Sequence, residues 1–538
     1  MDRRKFLGLG AMASGMLLTK KMCLSTLAAA QSAPGEIVET SSGKIRGLAQ
    51  NGVHSFKGIP YGAPSGGSSR FMPPGKPRPW TGVRDAFELG FRCPQVTGGL
   101  IPEIMAVGGT EPMSEDCLVL NVWMPSTGPA SKRPVMVWLH GGGFTNGSSG
   151  FTIYDGANLA RNHDVVVVGI NHRLNVFGFL YLSDIGGEKY AHSSNVGMLD
   201  IVAALEWVRD NIGAFGGDPG NVTIFGQSGG AGKVSTLMAM PSAKGLFHRA
   251  IIESRPPEKG LPRGEASKTA EEFLARLGLK PDHIDQAQKL PMEQLVKAIG
   301  ARGTPENSAL KLEPAVDGQS LPWEMFDPKA TELSANIPLL TGSVEDEVAF
   351  FPNQVLDPID DSTLRQKVGQ TLPKAGGAQV DRLIAAYRTG RPNIGNTDLY
   401  LILASDATFR QNVLAEAERK AAGGKAPAYM YYFTWHSPAR DGKLRAFHTI
   451  EIPFVFGNLD AGKPMTGSGE DRSALSDRMS TAWVSFARTG NPNHAGLPHW
   501  PAFTSQERAT MIFNNECKVV NDPNGDERKL LQSVLANT

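Results

Sequence analysis

The sequence predicts an α/β fold: a mostly parallel central sheet covered by helices on both faces. Three observations predict it. Short, wholly apolar runs recur along the chain, segments of helical period lie between them, and 538 residues at 41% hydrophobic content can bury a large core. A strand buried on both faces reads as a continuous apolar run, because neither side meets water. Val135–Leu139 and Val165–Ile170 are such runs, and Val222–Phe225, Ile337–Leu340 and Ala428–Thr434 read as further, mainly apolar strands. Between the second and third, Ile201, Leu205, Val208 and Ile212 recur at spacings of four, three and four, one face of a helix. Strands and helices alternating over this length imply parallel pairing with crossover helices. No internal repeat, low-complexity tract or heptad run interrupts the pattern.

In chain order, the first element is a targeting segment. Asp2-Arg3-Arg4-Lys5-Phe6-Leu7 reads as a twin-arginine export signal, followed by a mildly apolar stretch to Leu18. Ala28, Ala29, Ala30 and Ala33 offer signal-peptidase sites. Gly8, Gly10 and Gly15 break the apolar part, which is too short to stay in a bilayer as a helix. The expectation is therefore a signal over residues 1–33, export machinery of the twin-arginine type as partner, and a periplasmic or secreted product. No stable membrane insertion is expected. Residues 34–538 are expected to form one domain, since an α/β sheet with long insertions accommodates this length. Lys and Arg total 54 against 53 Asp and Glu, a net charge of +1, which gives no electrostatic footprint for nucleic acid. Asn146-Gly147-Ser148 and Asn221-Val222-Thr223 fit a glycosylation sequon, but a bacterial export signal removes their weight.

The chemistry concentrates in two strand-then-glycine junctions. After Val135–Leu139 comes His140-Gly141-Gly142-Gly143-Phe144, and after Val222–Phe225 comes Gly226-Gln227-Ser228-Gly229-Gly230, with a helix reading from Lys233 to Met240. The second matches G-x-S-x-G, the nucleophile elbow of α/β-hydrolases, where a tight strand-to-helix turn pushes the serine above the sheet. The first matches the glycine loop that lends backbone N–H groups to the oxyanion hole of that fold. Gly142, Gly143 and Gly229 are the expected donors, since side chains there would block a carbonyl oxygen. A phosphate loop is excluded, because Gly232-Lys233 is followed by Val234 and not by Ser or Thr. In this fold the chain order is serine, acid, histidine. The acid lies among Glu345, Asp346 and Glu347, beyond the Ile337–Leu340 strand and a loop expected at Gly342-Ser343-Val344.

Further segments make the chain resemble the type-B carboxylesterase family, the cholinesterase-like esterases and lipases, over residues 36–515. They are Phe56-Lys57-Gly58-Ile59-Pro60-Tyr61, Arg70-Phe71-Met72-Pro73-Pro74, Ser114-Glu115-Asp116-Cys117-Leu118 with Leu120-Asn121-Val122, Asn171-His172-Arg173-Leu174, Phe215-Gly216-Gly217-Asp218-Pro219, Gly490-Asn491-Pro492-Asn493 and Trp500-Pro501. Phe447-His448-Thr449-Ile450-Glu451-Ile452-Pro453-Phe454-Val455-Phe456-Gly457 is similar to the family's block around its catalytic histidine, which implies His448 as base. His248, His283, His436, His494 and His499 have no such setting. Asp346-Glu347-Val348-Ala349-Phe350-Phe351 resembles D-E-G-x-F-F and implies Glu347 as the acid, with Asp346 as fallback and Val348 in place of a glycine.

The resemblance also implies a Cys93–Cys117 disulfide, a buried Glu115–Arg173 ion pair, and support of the histidine by Ser254. Cys23 leaves with the signal, and Cys517 is expected to be a free thiol. Gln227 stands where the family has glutamate, and Gly229 where it has alanine. Arg255 replaces a glycine and is expected either to pair outward with Glu253 or Glu258 or to line the acyl pocket. The charged, Pro-rich segment of about residues 256–335 is expected to pack over the active site as an insertion. The implied activity is hydrolysis of small-molecule carboxylic esters through Ser228, Glu347 and His448, without cofactor or metal. Alternatives are the same machinery on carbamates or amides, and a non-catalytic cholinesterase-like binding module.

Overall fold

A computed structural model describes residues 33–126, 132–255, 259–300, 310–351 and 354–536. The signal expectations for residues 1–33, Cys23 and Glu258 therefore fall outside the described residues, Ala33 apart. Thirteen strands form one sheet: β1 (Ala33–Thr40), β2 (Gly43–Gln50), β3 (Val53–Pro60), β4 (Val83–Asp85), β5 (Val119–Pro125), β6 (Arg133–Leu139), β7 (Val166–Ile170), β8 (Gly217–Gln227), β9 (Arg249–Glu253), β10 (Leu339–Val344), β11 (Ala428–Phe433), β12 (Ala509–Phe513) and β13 (Lys518–Asn521). Their order is β1-β2-β3-β5-β7-β6-β8-β9-β10-β11-β12-β13, with β4 beside β2. From β7 to β12 every neighbour is parallel, while β1, β2, β3, β5 and β13 add antiparallel edges.

The apolar runs are strands because each feeds two cores at once. Along β6, Val135, Val137 and Leu139 enter one core, and Met136 and Trp138 the other. On β7, Val166, Val168 and Ile170 oppose Val167 in the same way; on β11, Ala428 and Met430 oppose Tyr429, Tyr431 and Phe433. Side chains of a strand alternate between faces, so a two-sided core demands apolar residues at every position. The first core is covered by α1 (Val196–Asn211), carrying the predicted Ile201, Leu205 and Val208. α2 (Gly229–Leu237) and α5 (Gln411–Gly423) cover the same core, with Ala231, Val234, Val413 and Ala417. α4 (Asn396–Ser405) and α6 (Asp471–Thr489) close the second core, with Leu399, Met479, Trp483 and Phe486. Gly342–Val344, expected as a loop, is the end of β10, because Gly342, Ser343 and Val344 pair with Tyr431, Tyr432 and Phe433.

The described part of the 256–335 segment carries α3 (Arg263–Arg276), and its contacts run to the flank and to the helix behind the elbow, where Thr236 Oγ1 meets Met325 Sδ at 3.1 Å and Thr331 donates to the Met238 carbonyl at 2.9 Å. Arg263 reaches Tyr181 and Asp184, and the carbonyls of Ala287 and Leu290 take Arg70. The implied Glu115–Arg173 pair does not form. Arg173 is 2% exposed and binds Asp200 of α1 through two nitrogens at 2.8 and 2.6 Å. Glu115 instead takes Arg70 at 2.7 and 2.5 Å. Cys93 and Cys117, the expected disulfide partners, lie side by side as thiols. Both are buried free thiols, and Cys93 Sγ accepts the Leu174 N–H at 3.2 Å. A hydrogen bond with Cys93, and then burial, pushes the Cys117 thiol well above the ordinary range. Cys517 is a buried free thiol as expected. Among the described residues no helix is long and apolar enough to cross a membrane.

Candidate active site

The site lies at the ends of β6, β8, β10 and β11. Ser228 links β8 to α2 with φ +58° and ψ −126°, a conformation rare for any residue but glycine. Its N–H donates to the carbonyl of Glu253 at 2.9 Å, tying the elbow to the end of β9. The strained turn leaves Ser228 partly open while both neighbours are buried. The glycine loop from β6 folds over this elbow: a side-chain carbon on Gly141 would stand 3.5 Å from Ser228 Cβ. Gly142 has φ +94°, which favours glycine, and it and Gly143 stay half-open beside the serine.

His448 is 3% exposed and its Nδ1 binds Glu347 Oε2. The other oxygen of Glu347 accepts the Val344 N–H at 3.0 Å, so the last residue of β10 orients the carboxylate. Asp346 points elsewhere. Its two oxygens take Arg445 Nε at 2.8 Å and the Ala446 N–H at 3.1 Å. Glu345, Asp346 and His436 are the one grouping among the described residues with cation-ligand spacing. It is internally matched, since His436 Nε2 meets Glu345 at 2.9 Å and Arg445 faces both carboxylates.

Gln227 Nε2 lies 3.3 Å from His448 Nδ1 and 3.2 Å from its Nε2. The two ring nitrogens point apart, so a donor equidistant from both sits on the ring face. Gln227 therefore braces the imidazole, and three aromatic rings pack on it as well. Phe409, Phe350 and Phe351 have centroids 4.9, 5.3 and 6.3 Å from that of His448. Phe409 stands on a π-helical turn, Asp406–Arg410, of the kind found at functional sites. These rings pack on the histidine.

Ser254 Oγ donates to Glu451, three residues beyond His448, at 3.2 Å. Arg255 is 8% exposed and its Nε lies 3.1 Å from Glu416 of α5, a partner the sequence did not suggest. Sequence reasoning also missed three buried ionisable groups. Burial, with the nearby charges of Glu347 and Glu253, pushes Glu451 well above the carboxylate range. Burial raises Glu253 to about 7, against one hydrogen bond from Trp483 Nε1 at 2.8 Å. Lys233 is fully buried and donates to the carbonyls of His140 and Gly143 at 3.0 and 2.7 Å. Only the adjacent Gly232-Lys233 pair signalled it, and that pair pointed to the wrong chemistry.

Glu253 gives a pH prediction. Its pKa is higher folded than unfolded, so its contribution to stability is complete below about 4.5 and is lost as pH rises towards about 7. Glu253→Gln keeps an acceptor for Trp483 and removes the charge. It should match the parent's unfolding midpoint near pH 4.5 and gain on it up to pH 8, by on the order of 2–3 kcal/mol. An equal midpoint difference at both pH values would rule this out.

Residues 34–530 match the model of the carboxylesterase family. The para-nitrobenzyl esterase of Bacillus subtilis (strain 168) is 38% identical over 92% of this chain and 98% of its own. This chain belongs to the carboxylesterase family. A phenmedipham hydrolase of Pseudarthrobacter oxydans is 35% identical over 89% of this chain and 95% of its own. Among solved structures, a PNB esterase superposes with a TM-score of 0.79 at 37% identity, covering 92% of this chain and 99% of that one. An esterase from anaerobic Clostridium hathewayi, titled as able to hydrolyse aliphatic aromatic polyesters, gives 0.80 at 36% identity, over 94% and 100%. The fold is the α/β-hydrolase fold, and this carboxylesterase is a carboxylic ester hydrolase.

Proposed function

We propose that this carboxylesterase cleaves esters through Ser228, His448 and Glu347, with Gly142, Gly143 and Gly229 as oxyanion donors. The observation that carries it is the Glu347–His448 Nδ1 contact, beside a serine held at φ +58° under the glycine loop. With Nδ1 on Glu347, His448 Nε2 takes the Ser228 proton as Oγ attacks the ester carbonyl. Negative charge then forms on the carbonyl oxygen, and each backbone N–H aimed at it is worth on the order of 3 kcal/mol. His448 returns the proton to the departing alcohol, and a water activated by the same ring releases the acid. Glu347 holds the imidazole tautomer and stabilises the imidazolium. Burial, with the charges of Glu347 and Glu253, works against a second negative charge on Glu451 beside it.

The triad is tested by ranking two neighbours. Glu347→Gln should lower kcat by about 10³–10⁴-fold, as loss of the orienting carboxylate does in such triads. Asp346→Asn should change kcat/KM less than about tenfold and act on stability through Arg445. The opposite ranking would hand the role to Asp346.

We also infer export through the twin-arginine route, from Arg3 and Arg4 and the apolar stretch behind them. Residues 34–538 then act as one domain in the periplasm or outside the cell. There Cys93 and Cys117, already neighbours, meet an oxidising environment that permits a disulfide.

A further inference from the structure

The His140-Gly141-Gly142-Gly143 loop needs something to hold it. Consecutive glycines have the widest backbone freedom of any residues, and an oxyanion hole works only when its donors are fixed beforehand. The structure supplies a clamp. Lys233, in the second turn of α2, reaches under the loop with its whole side chain buried. Its ammonium donates to His140 O at 3.0 Å and to Gly143 O at 2.7 Å, the carbonyls at the two ends of the glycine run. Nζ also lies 5.2 Å from the ring centre of Phe144. One cation thus ties both ends of the loop to the helix that begins at the nucleophile.

A second observation shows how closely the loop is drawn in. A Cβ built on Gly229 would overlap the Cα, N and carbonyl oxygen of Gly143. Where the family has alanine after the nucleophile, this chain has no room for one. His140 and His172 stack behind the loop at 5.0 Å. Burial, then the Lys233 charge, drives His140 down to about 3 and His172 well below its ordinary value. Both rings are therefore neutral, and Lys233 is the cation that faces the loop carbonyls.

We propose that Lys233 is a positioning residue for the oxyanion hole: by bridging His140 O and Gly143 O it holds the Gly142 and Gly143 N–H groups against the Gly229 N–H. The proposal rests on the triad and oxyanion assignment above. It also accounts for Gly229, since a loop clamped this tightly excludes a methyl group at that position.

The test uses the full chain and normalises every rate to the Ser228 sites titrated by a fluorophosphonate. Lys233→Met should lower kcat per titrated site by about 30–100-fold with KM within about threefold, as expected for displaced transition-state donors. A trifluoromethyl ketone, whose serine adduct carries an oxyanion, should lose affinity by the same factor. Lys233→Arg, which keeps a cation and both donors, should recover most of the loss. A purely structural role would lower the melting midpoint and the titrated fraction but leave kcat per site and ketone affinity intact, and that result overturns the proposal. If Lys233→Met does not fold, Gly229→Ala pushes the same loop from the other side and should show the same joint loss. Unchanged kcat per site and ketone affinity in Gly229→Ala would then overturn it. Failure of the parent to titrate at Ser228 would instead refute the triad.

Discussion

Ser228→Ala is expected to lower kcat by about 10⁴-fold or more while leaving the fold intact, because triad members act as one unit. The side chain is small and partly open, so its loss removes chemistry and little packing. The same substitution should abolish labelling by a fluorophosphonate. A panel of matched ester, carbamate and amide substrates measures this best. Esters should turn over fastest in the parent, and whatever activity is found on the other two should vanish with Ser228, since one acyl transfer serves all three. Persistent labelling of the variant at another serine would falsify the assignment.

The largest expected effect on stability lies at Arg173 and Asp200. Both are buried, at 2% and 0% exposure, with two side-chain hydrogen bonds between them. Asp200 also accepts the Arg173 backbone N–H at 3.0 Å, and Arg173 donates to the carbonyl of Met72 at 2.8 Å. Arg173→Met or Asp200→Asn should each cost about 3–5 kcal/mol, because either leaves a buried charge uncompensated. Arg173→Met with Asp200→Leu should cost less than the sum of the two single losses, since no charge remains behind. Urea midpoints unchanged in both single variants would show that the pair carries no such energy.

What the sequence made legible was local. The strands under the site could be read because burial on both faces leaves no polar position, as Val135–Leu139 and Val166–Ile170 show. Ser228 and the glycine loop could be read because a strained turn and a bare backbone each need small residues within a few positions. His448 and Glu347 needed the family's pattern as well, since nothing in spacing alone separates Glu347 from Asp346. Side-chain partners across the fold were not legible. For Arg173 the resemblance implied Glu115; the packing of α1 under the β7 loop decides for Asp200. Arg255 meets Glu416 and Lys233 meets Gly143 only once α2, α5 and the sheet have assembled. The antiparallel edges and the full length of β10 escaped for the same reason: strand ends are set by neighbours.

The parallel sheet also decides when in its life the chain gains reactivity. Ser228 follows β8, Glu347 follows β10 and His448 follows β11, and the last two are 101 residues apart in sequence. Bringing such distant segments together costs loop-closure entropy before any contact rewards it, and non-local pairings form slowly. A chain emerging from the ribosome therefore carries its nucleophile long before its base. On the proposed triad, truncated or half-folded molecules hold a serine on an incomplete sheet edge and are expected to stay inert. Hydrolysis marks the completed molecule, so specific activity doubles as a count of chains that have finished folding.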